Sequence, residues 1–199
     1  MGTKMKKSII VSLSIVLSSS CVFGNAPHPK VMQNQTKTIK ERNAMRITEA
    51  EVILAQQAWG DAIVAIGKAY TDGKDYKVIA RNVVDTMYAY DEGKVLFKPT
   101  KAAHKQFRLT EDDAVSYFVT GSQGEDHGFA LQPWSKVRFE NSGIIIDEDS
   151  ATAMGQYYFT DAKTGKEINV EYTFGYIKDE NGKLLVNVHH SSMPYIPTH

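Results

Sequence analysis

The chain of 199 residues is long enough for one domain, and with 42% hydrophobic and 10% aromatic residues it can bury an ordinary core. Its 23 basic and 23 acidic residues balance, but three lysines lie before residue 27, so the remainder is mildly acidic without the basic cluster that nucleic acid would favour. The single cysteine, Cys21, excludes disulfides, zinc–thiolate sites and cysteine nucleophiles from the rest of the chain.

The N-terminal segment has the three parts of a secretory signal peptide. Lysines at positions 4, 6 and 7 precede a short apolar run, Ile9 to Leu17, and small residues follow as far as Ala26. The apolar run is too short to span a bilayer. We predict a signal peptide over 1–26 and export to the periplasm or the cell exterior, with lipidation at Cys21, and hence a membrane anchor, as the alternative. The polar segment 27–46 is predicted to be a flexible linker.

Helical patterns fill the first half of the predicted domain. Thr48-Glu-Ala-Glu51 is a capping box, and apolar residues recur after it at helical spacing. Gly73 is predicted to end this helix, a second helical pattern covers 75–88, and Val95-Leu-Phe97 is typical of a strand. Thr110 is predicted to cap a third, short helix.

From Trp134 onward the apolar pattern alternates with a period of two, which is typical of strands. The alternating runs cover 136–140, 143–146, 152–159, 168–177 and 183–190, and short turns rich in Asp and Gly join them as hairpins. Helices followed by an antiparallel meander predict one α+β domain over 47–199. In it, the N-terminal helices pack on a strongly curved antiparallel sheet and leave a pocket between the layers.

The final strand ends in two histidines and two serines, residues 189–192. If its side chains alternate without interruption, His190 and Ser192 lie on the same apolar face as Leu184, Val186 and Val188. We therefore predict that His190 and Ser192 face the cavity, and that His189 and Ser191 face the other side of the sheet. The alternative is that the histidine pair is exposed or only holds structure.

Other polar residues are weaker candidates for chemistry. Asp112 and Asp113 begin a helix, where they favour its dipole, and we do not expect them to be catalytic. Tyr117 is expected to be buried, so its hydroxyl needs a partner in the core or the pocket. His104 and His127 lie in polar segments, and no two-histidine-plus-carboxylate spacing indicates a metal site. Gly-rich phosphate loops and Gly-x-Ser-x-Gly elbows are absent from the sequence, which excludes kinases, dinucleotide enzymes and α/β-hydrolases.

Six segments between about residues 59 and 195 together resemble the iota-class carbonic anhydrases. They are YDEGKVLFKPTKAAHKQFR, AVSYFVTGS, EDHGFALQPWSKVRFEN, AMGQYYFTDAKTG, VEYTFGYIKDENGKL and VNVHHSSMPY. The domain of that family is similar to the association domain of calcium/calmodulin-dependent kinase II and belongs to the NTF2-like superfamily. The resemblance implies an NTF2-like cone, a homodimer, and reversible hydration of carbon dioxide to bicarbonate.

The resemblance also implies a site. Its catalytic residues would be Thr100 from FKPT, Tyr117 from SYF, and His190 and Ser192 from HHSS, with Thr100, Tyr117 and Ser192 holding the substrate. Hydroxyls are poor zinc ligands, so no metal cofactor is expected, and zinc is the alternative.

Two other functions fit the same fold. The first is a non-catalytic association or small-ligand-binding module, because a fold does not determine a function. The second is another NTF2-like enzyme acting on a larger apolar ligand, which would need a carboxylate in the cavity. Glu171 is the nearest candidate, but it alternates with Asn169 and Thr173 and is expected to face solvent.

Overall fold

The fold is taken from a computed structural model that describes residues 46–197. The predicted signal peptide and the predicted linker as far as residue 45 lie outside the described residues. Within residues 46–197, no helix is long and apolar enough to cross a membrane.

Within the described residues, three α-helices precede the long strands. Helix α1 spans Glu49–Thr71, α2 spans Tyr76–Met87 and α3 spans Glu111–Val119. The predicted capping box is confirmed, since the Thr48 side chain accepts from the Glu51 amide and the Glu51 carboxylate accepts from the Thr48 amide. The Thr110 side chain caps α3 in the same way, by accepting from the amide of Asp113.

In the part of the chain that the structure describes, five strands form one sheet. They are β1 (Leu96–Lys98), β2 (Trp134–Ile146), β3 (Ser150–Asp161), β4 (Glu167–Lys178) and β5 (Leu184–Ser192), in the order β1-β5-β4-β3-β2. Strands β2 to β5 form the predicted antiparallel meander, and the predicted α+β class is confirmed. The sheet is mixed rather than wholly antiparallel, because β1 pairs in parallel with β5, to which the chain returns only after a long crossover.

A bulge in β2 bends the sheet. The predicted runs 136–140 and 143–146 belong to one strand, in which Asn141 pairs with Gly155 and Gly143 pairs with Met154, so that Ser142 is an extra residue. A β-bulge of this kind bends its strand and increases the local twist. Gly155 has no space for a side chain, because a Cβ there would lie 2.1 Å from the carbonyl oxygen of Glu140.

A second bulge, in β5, overturns the predicted orientation of the final residues. Tyr176 pairs with Val186 and Gly175 pairs with Val188, so Asn187 is an extra residue. The extra residue shifts the alternation by one position.

The shifted alternation reverses the two faces at the end of β5. His189 and Ser191 are therefore buried, each 2% exposed, and His190 is exposed on the outer face beside the partly buried Ser192. The prediction that His190 and Ser192 face the cavity was wrong because it assumed uninterrupted alternation from Leu184 to Ser192.

The core lies between the helices and the concave face of the sheet, and Trp59 of α1 is at its centre. Its indole is 2% exposed and packs edge-on against aromatic rings from α3 and four strands, namely Phe118, Phe139, Phe159, Phe174 and His189. Edge-to-face packing of this kind suits the ring quadrupoles.

Candidate active site

A cluster of hydroxyl groups lies between α3 and the concave face of the sheet, and four separate elements contribute to it. The Thr100 hydroxyl, just after β1, donates to the Ser191 hydroxyl of β5 over 2.8 Å. The Tyr157 hydroxyl of β3 interacts with both of these side chains. The Tyr117 hydroxyl of α3 interacts with the Thr100 side chain and with the backbone of Lys101. We call Thr100, Tyr117, Tyr157 and Ser191 the hydroxyl cluster.

The tyrosines of the hydroxyl cluster are protonated donors at neutral pH. Tyr117 is 6% exposed and Tyr157 is 2% exposed. Burial raises the pKa of each hydroxyl above its ordinary value of 10, because a phenolate would lose its hydration. Neither tyrosine can therefore act as a base near neutrality, but both can donate hydrogen bonds to an anion.

His189 lies beneath the hydroxyl cluster, clamped between aromatic rings. Its imidazole stacks on Phe97 with the ring centroids 4.5 Å apart, a contact set by the direct pairing of Phe97 with His189 between β1 and β5. The Phe174 ring packs against the same imidazole, with the ring centroids 4.2 Å apart. Burial, and secondarily the neighbouring His190, lower the pKa of His189 well below 6.5. The imidazole is therefore neutral at physiological pH.

Hydrogen bonds to both ring nitrogens orient this neutral imidazole. Trp59 Nε1 donates to the Tyr88 hydroxyl at 2.9 Å, and that hydroxyl lies 2.9 Å from His189 Nδ1. Among the contacts of residues 46–197, Nδ1 is the only acceptor for the Tyr88 proton, so Tyr88 donates and the imidazole proton resides on Nε2. His189 Nε2 faces the Tyr157 oxygen at 3.5 Å, a long contact.

The direction of these hydrogen bonds determines which way the Tyr157 proton points. Because Nε2 of His189 donates towards Tyr157, the phenol oxygen of Tyr157 acts as an acceptor on that side. The hydroxyl proton of Tyr157 is then free to point towards Ser191 and Thr100. The series of hydrogen bonds from Trp59 through Tyr88 to His189 thus leaves the Tyr157 hydroxyl as a donor towards Ser191 and Thr100.

A solvent-accessible cavity of about 340 Å³ adjoins the hydroxyl cluster. Tyr117 lines this cavity, and its ring stacks on that of Phe129 at 5.5 Å between centroids. The exposed residues Lys101 and His127 contribute to its rim. Since Tyr117 belongs to both the cavity wall and the hydroxyl cluster, the cavity is the approach from solvent to the buried groups.

Buried charges hold the two loops that form the rim of the cavity, the one after β1 that contains Lys101 and the one after α3 that contains His127. Arg108 is fully buried and forms two hydrogen bonds to Asp126, at 2.9 and 2.7 Å, and Ser116 also donates to Asp126. Glu125 accepts from three consecutive amides, those of residues 103–105, at 2.8 to 2.9 Å. These amide bonds lower the pKa of Glu125 to about 2. The carboxylates thereby fix the loop that follows Thr100.

Two of the four predicted site residues lie in the hydroxyl cluster and two do not. Thr100 and Tyr117 belong to it. His190 and Ser192 line a different cavity, of about 430 Å³, on the outer face of the sheet, where the Ser192 hydroxyl donates to Glu171 at 3.2 Å. Glu171 is exposed, as predicted.

Sequence reasoning missed four polar residues at or behind the site, namely Tyr88, Tyr157, His189 and Ser191. The sequence did indicate that Tyr157 is buried, since it shares the alternating face of β3 with Ala153 and Phe159, and all three are buried. No such signal indicated Tyr88, because it follows the end of α2 and reaches His189 only through the tertiary fold.

Other predicted assignments concern residues away from the cluster. Asp112 pairs with Arg81 at 2.7 Å and Asp113 pairs with Lys105 at 2.7 Å, in keeping with their assignment as non-catalytic. His104 and His127 are both exposed.

The donor atoms at the site do not suit zinc. Zinc in proteins prefers imidazole, thiolate and carboxylate ligands, usually three or four of them. The hydroxyl cluster offers neutral hydroxyls, and the neighbouring His189 offers a single imidazole, both of whose nitrogens have partners. Within residues 46–197 no group of three or more His, Cys, Asp or Glu side chains is arranged to hold a metal ion.

Comparisons with known proteins agree on one family. Residues 50–193 match the family model described as "Metal-independent carbonic anhydrase". A protein named metal-independent carbonic anhydrase from Nostoc sp. (strain PCC 7120 / SAG 25.82 / UTEX 2576) is 47% identical over 154 residues, which cover 75% of each chain.

A crystal structure of the iota-carbonic anhydrase from a cyanobacterium, complexed with bicarbonate, is 45% identical and superposes with a TM-score of 0.73, covering 77% of this chain and 96% of that one. An NTF2-like protein with a cystatin-like fold from Novosphingobium aromaticivorans is 7% identical, with a TM-score of 0.47 over 83% of this chain and 90% of that one.

Proposed function

This chain belongs to the metal-independent carbonic anhydrase family, and we propose that the hydroxyl cluster is the place where it interconverts carbon dioxide and bicarbonate. The observation that carries the proposal is the convergence of the Thr100–Ser191 hydroxyl pair with two buried tyrosine donors beside a solvent-accessible cavity. The bicarbonate held by the 45% identical cyanobacterial relative supports a site of this anion's size in the same fold.

The proposed reaction depends on placement and on stabilisation of charge. The oxygen of a water molecule forms a bond to the carbon of carbon dioxide, one O–H bond of the water breaks, and the products are bicarbonate and a proton. Holding the two reactants in contact converts a bimolecular encounter into an effectively unimolecular step. Thr100 and Ser191 are suited to orient the water, because each hydroxyl can both donate and accept.

Negative charge develops on the carbon dioxide oxygens as the new bond forms. The hydroxyls of Tyr117 and Tyr157 are neutral, buried donors that can hydrogen-bond to these oxygens without reorganising. In a water-poor pocket such donors stabilise an anion more than they would in bulk water. Thr100, Tyr117, Tyr157 and Ser191 are thus the proposed catalytic residues, and in place of His190 we assign His189 as a positioning residue acting through Tyr157.

The experiment that tests this function is stopped-flow hydration of carbon dioxide by the protein beginning at residue 27. The rate is measured before and after treatment with a chelator, and again with added zinc. We expect activity that survives chelation and does not rise with zinc. Activity lost on chelation and restored by zinc would contradict the metal-free site, and no activity in any state would indicate a binding module.

We also propose that the protein forms a homodimer through the outer face of its sheet. A row of side chains crosses three strands there, through the pairs Met154–Thr173 and Thr173–His190. Met154 and Ile145, on neighbouring strands, are 56% and 65% exposed, so this face of the sheet leaves large apolar side chains open to solvent. Light scattering should give twice the chain mass, and Met154→Lys with Ile145→Lys should halve it. A monomeric parent protein would contradict the dimer.

Export is the final part of the proposal. The basic, apolar and small-residue parts of segment 1–26 support a cleaved signal peptide. Mass spectrometry of the protein isolated from its native cells should find an N-terminus at Pro27. An N-terminal lipidated Cys21 would instead indicate a membrane-anchored lipoprotein, and an uncleaved chain in the cytoplasm would contradict export.

A further inference from the structure

The hydroxyl cluster has no group that can keep the proton released by hydration. Its tyrosines are already protonated, and burial lowers the pKa of His189 so far that the imidazole resists a second proton. Both nitrogens of His189 also face hydrogen-bond partners. Each turnover in the hydration direction must therefore deliver its proton to a group outside the cluster.

The cavity beside Tyr117 is the route open to that proton. It is large enough for several water molecules, which can relay a proton between polar groups. Besides Tyr117, the ionisable side chains that line it are Tyr70 at the end of α1, Lys101 after β1, and Glu125, Asp126 and His127 in the loop after α3.

Most of these side chains are unsuited to accept and release a proton near neutral pH. Asp126 is held by Arg108 and Ser116, and Glu125 is held by three amides that keep its pKa at about 2. An ammonium group such as that of Lys101 has no lone pair with which to accept. Phenols as a class ionise too far above neutrality to release and regain protons there. His127 alone among the lining residues carries an imidazole, the side chain suited to this exchange.

We propose that His127 accepts the proton of hydration from solvent in the cavity and passes it to buffer outside, which rests on the proposed function of the hydroxyl cluster. As the bond between water oxygen and carbon forms, the departing proton moves through cavity water to the neutral imidazole of His127. The imidazolium then gives this proton to a buffer base, and the neutral imidazole is regenerated. No electrons are exchanged, and the exposed position of His127 allows direct contact with buffer.

The test is the dependence of carbon dioxide hydration on buffer concentration, with His127→Ala compared with the parent protein. His104→Ala is the matched control, because His104 is also exposed and lies in the facing loop but does not line the cavity. We expect His127→Ala to lower kcat by about tenfold or more in dilute buffer while kcat/KM for carbon dioxide is unchanged. Imidazole as buffer should restore kcat, and His104→Ala should match the parent.

Each outcome decides between supporting and overturning the proposal. A kcat for His127→Ala equal to the parent value in dilute buffer would overturn it, as would a loss that imidazole does not restore or a parallel loss in kcat/KM. Equal melting temperatures of the parent and the variant exclude a folding effect. An inactive parent protein would contradict the proposed function itself, whereas an active parent with an unaffected variant would contradict only the role of His127.

Discussion

The hydroxyl of Thr100 lies 2.8 Å from the hydroxyl of Ser191, to which it donates. This bond joins the segment after the short edge strand to the last strand of the sheet, two parts of the chain 91 positions apart. The parallel pairing of β1 with β5 makes the contact possible, because it runs both strands in the same direction into the site. The proposed catalysis depends on the two hydroxyls being held together.

Replacing Tyr157 by Phe should remove one donor to the developing bicarbonate while leaving the ring in place. We expect kcat/KM for carbon dioxide to fall by about 10²-fold or more, the usual effect of losing one such donor. The neighbouring Tyr158 is the matched control, since it lies on the opposite face of β3, where its hydroxyl donates to Gln156. Stopped-flow assays of both variants check this, and equal activity in Tyr157→Phe and Tyr158→Phe would rule out the assigned role.

The neutral, buried His189 should make stability depend on pH in a defined window. Its pKa in the folded protein is well below 6.5, so the unfolded chain binds a proton that the folded one does not. Above about pH 6.5 His189 is neutral in both states and does not lower the free energy of unfolding. Below that value the free energy of unfolding falls as the pH falls, by up to about 1.4 kcal/mol per pH unit.

Urea unfolding at a series of pH values measures this dependence. The window between about pH 6.5 and 4.5 separates His189 from Glu125, whose ordinary pKa is 4.5 and whose stabilisation is lost only below that. His189→Gln should flatten the slope within the window. A parent protein whose free energy of unfolding is constant from pH 7 to 5 would show that His189 is not held neutral.

The bulge in β5 should depend on the absence of a side chain at Gly175. A Cβ there would lie 2.8 Å from Asn187 Oδ1 and 2.9 Å from Val188 Cβ, so Gly175→Ala must displace the bulge. We expect a loss of about 1–3 kcal/mol in the free energy of unfolding, as for other overpacked sites. Activity should fall as well, because His189 and Ser191 follow the bulge.

Gly143→Ala is the control for this substitution. Gly143 also lies within a strand, and a Cβ added to it would meet no atom within 4 Å. The Gly143→Ala variant should therefore unfold at the same denaturant concentration as the parent protein and keep full activity. If Gly175→Ala behaved in the same way, the bulge would not be what orients the end of β5.

Local signals in the sequence predicted the elements well but not the faces at the end of β5. The capping residues Thr48 and Thr110 specify where their helices begin, since each cap needs only neighbours within three positions. The bulge at Asn187 depends instead on Gly175, which lies in another strand. Alternation read along one strand cannot reveal such an insertion, and it therefore placed His190 and Ser192 inside.

The hydroxyl cluster was predictable only in part for a similar reason. Thr100 followed only from resemblance to a family, whereas Tyr117 followed from that resemblance and from its expected burial on a helix. The loop after Thr100 has no periodic sequence pattern from which its conformation could be predicted. Its backbone is held by the carboxylate of Glu125, which lies more than twenty positions away in the sequence. The contact of Tyr88 with His189 likewise forms only when α2 packs on the sheet.

Ser191, rather than Ser192, belongs to the proposed site, and the paired variants Ser191→Ala and Ser192→Ala distinguish the two serines. Their rates of carbon dioxide hydration are compared by stopped flow, with circular dichroism and melting temperatures to establish that both are folded. Ser191→Ala should lose about 10²-fold in kcat/KM, because the Thr100 hydroxyl loses its hydrogen-bond acceptor and the reacting water loses one of the two hydroxyls that orient it. Ser192→Ala should retain the parent rate. Full activity in Ser191→Ala, or a loss confined to Ser192→Ala, would contradict the proposed site.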